Sequence, residues 1–263
     1  GWFLVNAGIT FNLSSVTLDG QGQLVNIGIL SHGTGTIENN ILKNIGYNPS
    51  GPDYAGRGIA FYDTNMTIRN NHLENIGRIG IYMYGAGVTG ATIDGNTYVG
   101  KGVGNWLDYA IEIEGGAIAN VTNNTITNCL GVASVDGSGS AGILMTTYFG
   151  PGATANVTGN TFSNNTTGIA VGFDGTDTST LAASGNTFAN NEYPVSLTSD
   201  LITADMEAIL SGNAFDRSIV IRTGGTISSP AIYSTIQHAI DAAAAGDTIH
   251  VLAGTYTGNV TVN

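Results

Sequence analysis

Positive charge is scarce in this chain. Seven Lys and Arg stand against 19 Asp and Glu in 263 residues, a formal net charge of −12, and charged residues make up 10% of the total, where an ordinary soluble domain has about a quarter. Proteins that grip nucleic acid neutralise its phosphates with clustered Lys and Arg, so nucleic acid is not an expected partner. Disorder goes with low hydrophobicity, and 42% of these residues are hydrophobic; the chain is expected to fold. Cys129 is the single cysteine, so no internal disulfide forms and stability falls to burial and backbone pairing. No run of about 18 apolar residues is present, the length a membrane-spanning helix needs. Residues 1–11 show neither a basic start nor a cleavage pattern, so no signal peptide is legible. Helical periodicity is missing up to residue 234.

What the chain has instead is repetition. The segments TIENNIL, TIRNNHL, TIDGNTY, NVTNNTI, NVTGNTF, AASGNTF and ILSGNAF align an asparagine at Asn40, Asn71, Asn96, Asn124, Asn160, Asn186 and Asn213, 25 to 36 residues apart. Between them recur segments that alternate with period two, as half-buried strands do. Their apolar anchors are Ile29, Ile59, Ile81, Ile111, Ile143, Ile169, Val195 and Ile219, usually preceded by Gly. Two or three short strands per repeat cannot bury an apolar face alone; stacked repeats make parallel sheets around one continuous core. The expected fold is all-β, a right-handed parallel β-helix of about eight coils, with residues 1–229 as its body. The recurrent Asn is expected at a sharp corner, where it tolerates a left-handed backbone and where its amide stacks on the next coil's as a ladder along the axis.

Residues 230–263 differ in kind. Ser234 followed by Gln237 forms a capping-box pattern, and Ile236, Ala239, Ile240, Ala243 and Ala244 make one apolar helical stripe ended by Gly246. A short amphipathic capping helix is expected near residues 234–245, then strand-like TIHVL and NVTVN. The run TIQHAIDAA, then GDTI, then AGTYTGNV resembles the opening element of pectin-lyase-like right-handed β-helix proteins, the group that includes pectin methylesterases and alginate epimerases. The resemblance implies a helix that shields the open end of a core and its unpaired strand edges. Here that opening element stands at the other end of the chain, and joining Asn263 to Gly1 gives a continuous winding. The segment therefore reads as the start of a following or neighbouring β-helix, and self-association head to tail through the C-terminal cap and N-terminal strands is expected. A cap folded onto its own last coil is the alternative.

Candidate chemistry gathers on the second type of strand. If Ile59, Ile81 and Ile111 point inward, residues one and three places later point out. That puts His32, Tyr62, Tyr84 and Glu114 in one outward row, and Ala60, Tyr82 and Glu112 in another. With Trp106, Asp108 and Tyr109 just upstream, aromatics and carboxylates share a face suited to sugar rings; an aromatic ladder that merely stabilises the strands is the competing reading. Glu112 and Glu114 lie about 6.5–7 Å apart on one strand face, a separation compatible with an inverting glycosidase. Arg57 and Arg78 precede Gly-Ile strands at equivalent places and are expected to stack on Tyr or Asp63. Asp174 and Asp177 offer oxygens for Ca²⁺ at most in part, and no other cofactor is implied. Neither the esterase aspartate motifs nor the epimerase Asp-Pro-His motif of the resembled group is present, so no catalytic set carries over. The expected function is a structural or adhesive extracellular module that joins end to end. A polysaccharide-active enzyme, lyase or glycoside hydrolase, or a carbohydrate-binding module working through Tyr62, Tyr82, Tyr84, Glu112 and Glu114 is the alternative.

Overall fold

The computed structural model describes residues 1–23 and 25–262, and in it the repeat closes into a parallel β-helix. Each coil gives one short strand to each of three parallel sheets. The first sheet runs through Phe3–Val5, Ile27–Ser31, Arg57–Tyr62, Ile79–Tyr84, Tyr109–Glu114, Ala141–Thr146, Thr167–Val171 and Tyr193–Leu197. The second begins at Thr10–Ser14 and ends at Thr203–Ala204, and the third begins at Thr17–Asp19 and ends at Ala214–Phe215. Register keeps like positions adjacent: Ile59, Ile81, Ile111, Ile143, Ile169 and Val195 are successive neighbours in the first sheet, and all are buried. In the third sheet Phe162, Phe188 and Phe215 stack at 5.0 Å between ring centroids, close to the ~4.8 Å strand spacing that sets the rise of a coil. The Gly before each anchor has a packing cause. A Cβ on Gly80 would lie 2.6 Å from the Tyr98 ring, and one on Gly168 would lie 2.9 Å from the Phe188 ring; first-sheet backbone presses directly on third-sheet side chains.

The expected asparagine ladder is present along its whole length. Side-chain amides link Asn40 to Asn71, Asn71 to Asn96, Asn96 to Asn124, Asn124 to Asn160, Asn160 to Asn186 and Asn186 to Asn213 at 2.8–3.0 Å. Each receiving Oδ1 also accepts the backbone N–H of the preceding ladder residue. The corner geometry differs from expectation by one residue. The left-handed positions are Asn39, Asn70, Gly95, Asn123, Gly159 and Gly185, each immediately before a ladder Asn. The turn is made by the residue that tolerates positive φ, while the ladder Asn turns its amide inward to satisfy backbone groups that no strand partner reaches. A second, shorter ladder runs at another corner: Asn165 donates to Asn191 at 2.9 Å and accepts from the Cys129 N–H at 3.0 Å.

The C-terminal third corrects three expectations. Helix enters before residue 234: Met206–Gly212 is α-helical, capped by Asp205, which accepts from the Ala208 N–H at 3.0 Å. Ile219–Thr223 does not form a ninth parallel rung of the first sheet. It pairs antiparallel with Thr226–Ile227 and Thr248–Val251 in a separate three-stranded sheet. The expected cap helix is Ile236–Ala242, with Thr235 rather than Ser234 as N-cap; the Ser234 hydroxyl instead donates to the Glu192 carbonyl at 2.8 Å. Ala231–Ile232 closes the first sheet antiparallel to Tyr193–Leu197, and the His238 ring stacks on Tyr193 at 5.3 Å. The cap-like segment thus lies on the last coil of its own chain, and its pairing is antiparallel rather than a continued parallel winding. Asn263, expected to lead into a Gly1 in a continuous winding, lies outside the described residues. Among the described residues no helix is long and apolar enough to cross a membrane.

Candidate functional site

The outward rows on the first sheet form as the alternation requires. Ala60, Tyr82 and Glu112 are register neighbours, as are Tyr62, Tyr84 and Glu114. They are not, however, an open face. Tyr82 is 3% exposed, Glu112 4% and Glu114 0%, because the inserts that lengthen several repeats fold over the outside of the sheet. Ala60, Ile79, Tyr82, Leu107, Tyr109, Ala133 and Ala141 form a second hydrophobic cluster there, with Tyr54, Tyr62 and Tyr84 packed against it. The inserts are tied to one another: Tyr54 hydrogen-bonds to the Asn105 side chain, and the Ser134 N–H donates to the same Asn105 oxygen at 2.9 Å. Of the two outward rows, His32 is exposed and Tyr62 and Tyr84 remain half-exposed.

Beneath the inserts sits a charged group. Glu114 accepts from the Tyr82 hydroxyl at 2.7 Å and from the Phe149 N–H at 2.9 Å. Glu112 is different: its Oε2 is buried with no hydrogen-bond partner. Burial pushes its carboxyl up to about 7; the Arg78 and Arg57 cations pull the other way, and the Glu114 carboxylate adds to the rise. The two guanidinium groups sit over aromatic rings, Arg57 over Tyr82 at 4.5 Å and Arg78 over Tyr109 at 5.6 Å. The expectation of stacking on Tyr holds, whereas that of equivalent positions does not: Arg57 pairs in register with Ile79, so Arg78 falls one residue earlier. Asp63 accepts instead from the Gly87 N–H at 3.2 Å.

Two expected members of the face lie elsewhere. Asp108 is fully buried, bonded to the Tyr98 hydroxyl and accepting from the Lys101 N–H at 2.6 Å; burial raises its pKa, with Lys101 opposing. Trp106 is wedged among glycines, its Nε1 donating to the Gly102 carbonyl at 3.0 Å, and it bridges to Asp53 between inserts. Both hold the inserts in place. Asp177 is fully buried and accepts from Thr147 Oγ1 at 3.0 Å and the Ser179 N–H at 2.8 Å. Asp174 accepts from the Thr176 N–H and hydroxyl, bonds that hold its carboxyl below the usual range. Calcium binding there would require these turn bonds to open. Among the described residues no three His, Cys, Asp or Glu are grouped to hold a metal.

Two aromatic groups remain at the surface along one line of coils, and the second was not legible as a site. His32 stacks on Tyr62 at 5.4 Å, and Tyr62 lies 5.9 Å from Tyr84. At the next coil the row position is Glu114, which is covered. There the insert after Thr146 crosses over: the Tyr84 hydroxyl donates to the Phe149 carbonyl at 2.9 Å. Phe149 packs edge-on to Tyr148 at 4.4 Å, and Tyr148 packs on Phe173 at 4.7 Å. These three are 59%, 57% and 53% exposed. The sequence signal for Tyr148 and Phe149 is the TTYFGPG insert within the longest repeat spacing, 36 residues between Asn124 and Asn160; Phe173 lies in the GFDGTDTST turn of the next repeat. His32 to Phe173 spans five coil steps, about 24 Å at ~4.8 Å each.

Comparisons with known proteins bear on the fold. No curated protein matches the sequence. The solved structure of QnrB1, a plasmid-mediated fluoroquinolone resistance protein, is similar over 78% of this chain and 91% of its own, with 10% identity and a TM-score of 0.20, too low to carry an argument. A family model described as the right-handed beta helix region matches residues 5–253, nearly the whole coil assembly derived above, and this chain belongs to that right-handed β-helix family.

Proposed function

We propose that this chain is a rigid, non-catalytic, extracellular or cell-surface β-helix module that holds a polysaccharide lengthwise along its flank. The exposed row from His32 to Phe173 carries this reading. Aromatic rings offer flat apolar faces for sugar rings, and tyrosine hydroxyls add hydrogen bonds; the coil spacing repeats these contacts along one axis. Catalysis through Glu112 and Glu114 is disfavoured by their burial, since a general acid or base must reach the proton it moves. The test is affinity electrophoresis in gels that contain soluble polysaccharides, neutral and acidic. Wild-type protein is expected to be retarded by at least one polymer, and Tyr84→Ala and Phe173→Ala each to weaken retention by about tenfold, in line with losing one stacked ring worth on the order of 1–2 kcal/mol. Retention by no polymer, or retention unchanged in both variants, overturns the proposal. New reducing ends or unsaturated products that disappear in Glu112→Gln would favour the enzyme instead.

End-to-end association is a second reading, favoured by both ends of the solenoid. The strands Phe3–Val5, Thr10–Ser14 and Thr17–Asp19 each pair on one side only among the described residues, and Trp2, Leu4 and Ile9 are exposed beside them. At the other end Val251, Leu252, Val260 and Val262 are exposed. Unpaired edges and apolar side chains together favour strand addition. Sedimentation velocity is expected to show mass rising with concentration, with Leu4→Asp and Ile9→Lys abolishing the rise. A monomer throughout refutes it.

A further inference from the structure

The seven cationic side chains do not share one fate. Lys43 pairs with Asp19, Arg69 with Glu38, Arg217 with Asp216 and Arg222 with Glu207. Lys101 points its ammonium at the Ile76, Gly77 and Leu107 carbonyls. Arg57 and Arg78, like Lys101, form no ion pair with a described residue, and unlike Lys101 they have no carbonyls gathered around the cation, although both are half-buried. The Nε of each is buried without a hydrogen-bond partner. Both line one hollow of about 150 Å³, bounded also by Asn26, Tyr54 and Gly56. A buried guanidinium donor without an acceptor is costly, and two beside one hollow leave a place for an acceptor there, since the Oε2 of Glu112, the carboxylate that faces both cations, is itself without a hydrogen-bond partner.

We infer that Arg57 and Arg78 form an oxyanion site on the outer side of the first sheet, which takes a carboxylate or sulfate group carried by a sugar. Guanidinium groups fit such oxygens with paired N–H donors. Here the two are fixed in advance by their seats on Tyr82 and Tyr109, so little side-chain freedom is lost on binding. The hollow admits one substituent and not a whole chain, which makes this a recognition point for a charged group. The site stands independently of the aromatic row, since Arg57 begins the strand that Tyr62 ends, and free monosaccharides test it without a polymer. Glu112 is the opposing charge. It is faced by Arg57, Arg78 and Glu114, and by the Tyr82 and Tyr109 phenols, whose own ionisation its charge opposes. An anion in the hollow therefore competes with the Glu112 carboxylate for the two cations.

Isothermal titration with glucuronate, glucose 6-sulfate, inorganic sulfate and glucose tests this. One saturable site per chain is expected for glucuronate or glucose 6-sulfate and none for glucose; inorganic sulfate binding as tightly as both sugars would show a bare ion site and overturn the sugar-borne assignment. Arg57→Lys and Arg78→Lys, which keep the charge and lose the fork, are expected to weaken binding by about tenfold with an unchanged circular dichroism spectrum. Glu112→Gln is expected to tighten binding several-fold at pH 8, an effect that a merely structural role for the arginines would not produce. No saturable anion binding, an equal loss in Arg69→Gln, or weaker binding in Glu112→Gln overturns the site.

Discussion

Asn124→Ala is expected to cost on the order of 4 kcal/mol of stability, a large share of what a folded domain has in reserve. Asn124 stands mid-ladder and is 2% exposed. Its Oδ1 accepts from both the N–H and the amide of Asn96. Its own amide donates to the Ile93 carbonyl at 2.9 Å, the Thr122 carbonyl at 2.9 Å and Asn160 at 2.9 Å. Alanine removes all of these at once and leaves buried polar groups that water does not reach, the arrangement in which a lost hydrogen bond is most expensive. Each coil of a solenoid contacts only its neighbours, so the damage falls at one junction. Urea unfolding is expected to show a lowered and broadened transition as the flanking coils uncouple. The comparison is Asn156→Ala, which removes one exposed bond to Asn120 and is expected to change stability by less than about 0.5 kcal/mol. Equal effects of the two substitutions would mean that the buried ladder does not hold the coils together.

Glu112 gives the second large effect, and its sign is unusual for a carboxylate. The folded protein holds its pKa at about 7, above the value of 4.5 for an unburied glutamate. The folded state therefore retains a proton that the unfolded chain has released. The contribution to stability is full below pH 4.5, declines as pH rises through the window up to about 7, and is lost above it. At 1.36 kcal/mol per pKa unit the change is about 3 kcal/mol. Glu112→Gln, which stays neutral throughout, is expected to match wild type at pH 4, to exceed it by about 3 kcal/mol at pH 8, and to flatten this part of the stability–pH curve. Thermal melting of both proteins from pH 4 to 9 measures it. A wild-type protein whose stability gains between pH 5 and 8 relative to the variant would show that Arg57 and Arg78 hold Glu112 ionised and that burial does not dominate.

How far the sequence carried depends on whether a property is periodic. The coils, the inward Ile column, the outward rows and the Asn ladder repeat every 25 residues or so, and a repeated signal is legible without any knowledge of packing. The ladder illustrates the limit too. Asn-Asn and Gly-Asn pairs show a corner, but which member takes positive φ depends on where the backbone needs an amide, and the structure assigns that bend to Asn39, Asn70 and Gly95 rather than to their neighbours. The first-sheet face failed for a different reason. Alternation says that Glu112 and Tyr82 point outward, and they do; it says nothing about the inserts carrying Tyr54, Leu107 and Ala133, which fold back and bury them. Trp106 and Asp108 belong to these inserts rather than to the face, and a further insert, after Thr146, brings Tyr148 and Phe149 beside Tyr84. At the C-terminus, SIVIRT alternates like the coil strands before it, and its antiparallel partners Thr226–Ile227 and Thr248–Val251 take it out of the winding.

The lengthwise grip on a glycan is tested most directly by affinity as a function of oligosaccharide length, measured for a homologous series cut from whichever polymer retards the protein. Rings repeated at coil spacing predict affinity that climbs with each added sugar and levels off once the oligosaccharide outgrows the row of about 24 Å. Affinity already at its ceiling for a disaccharide, or still unmeasurable for chains longer than the row, would contradict it.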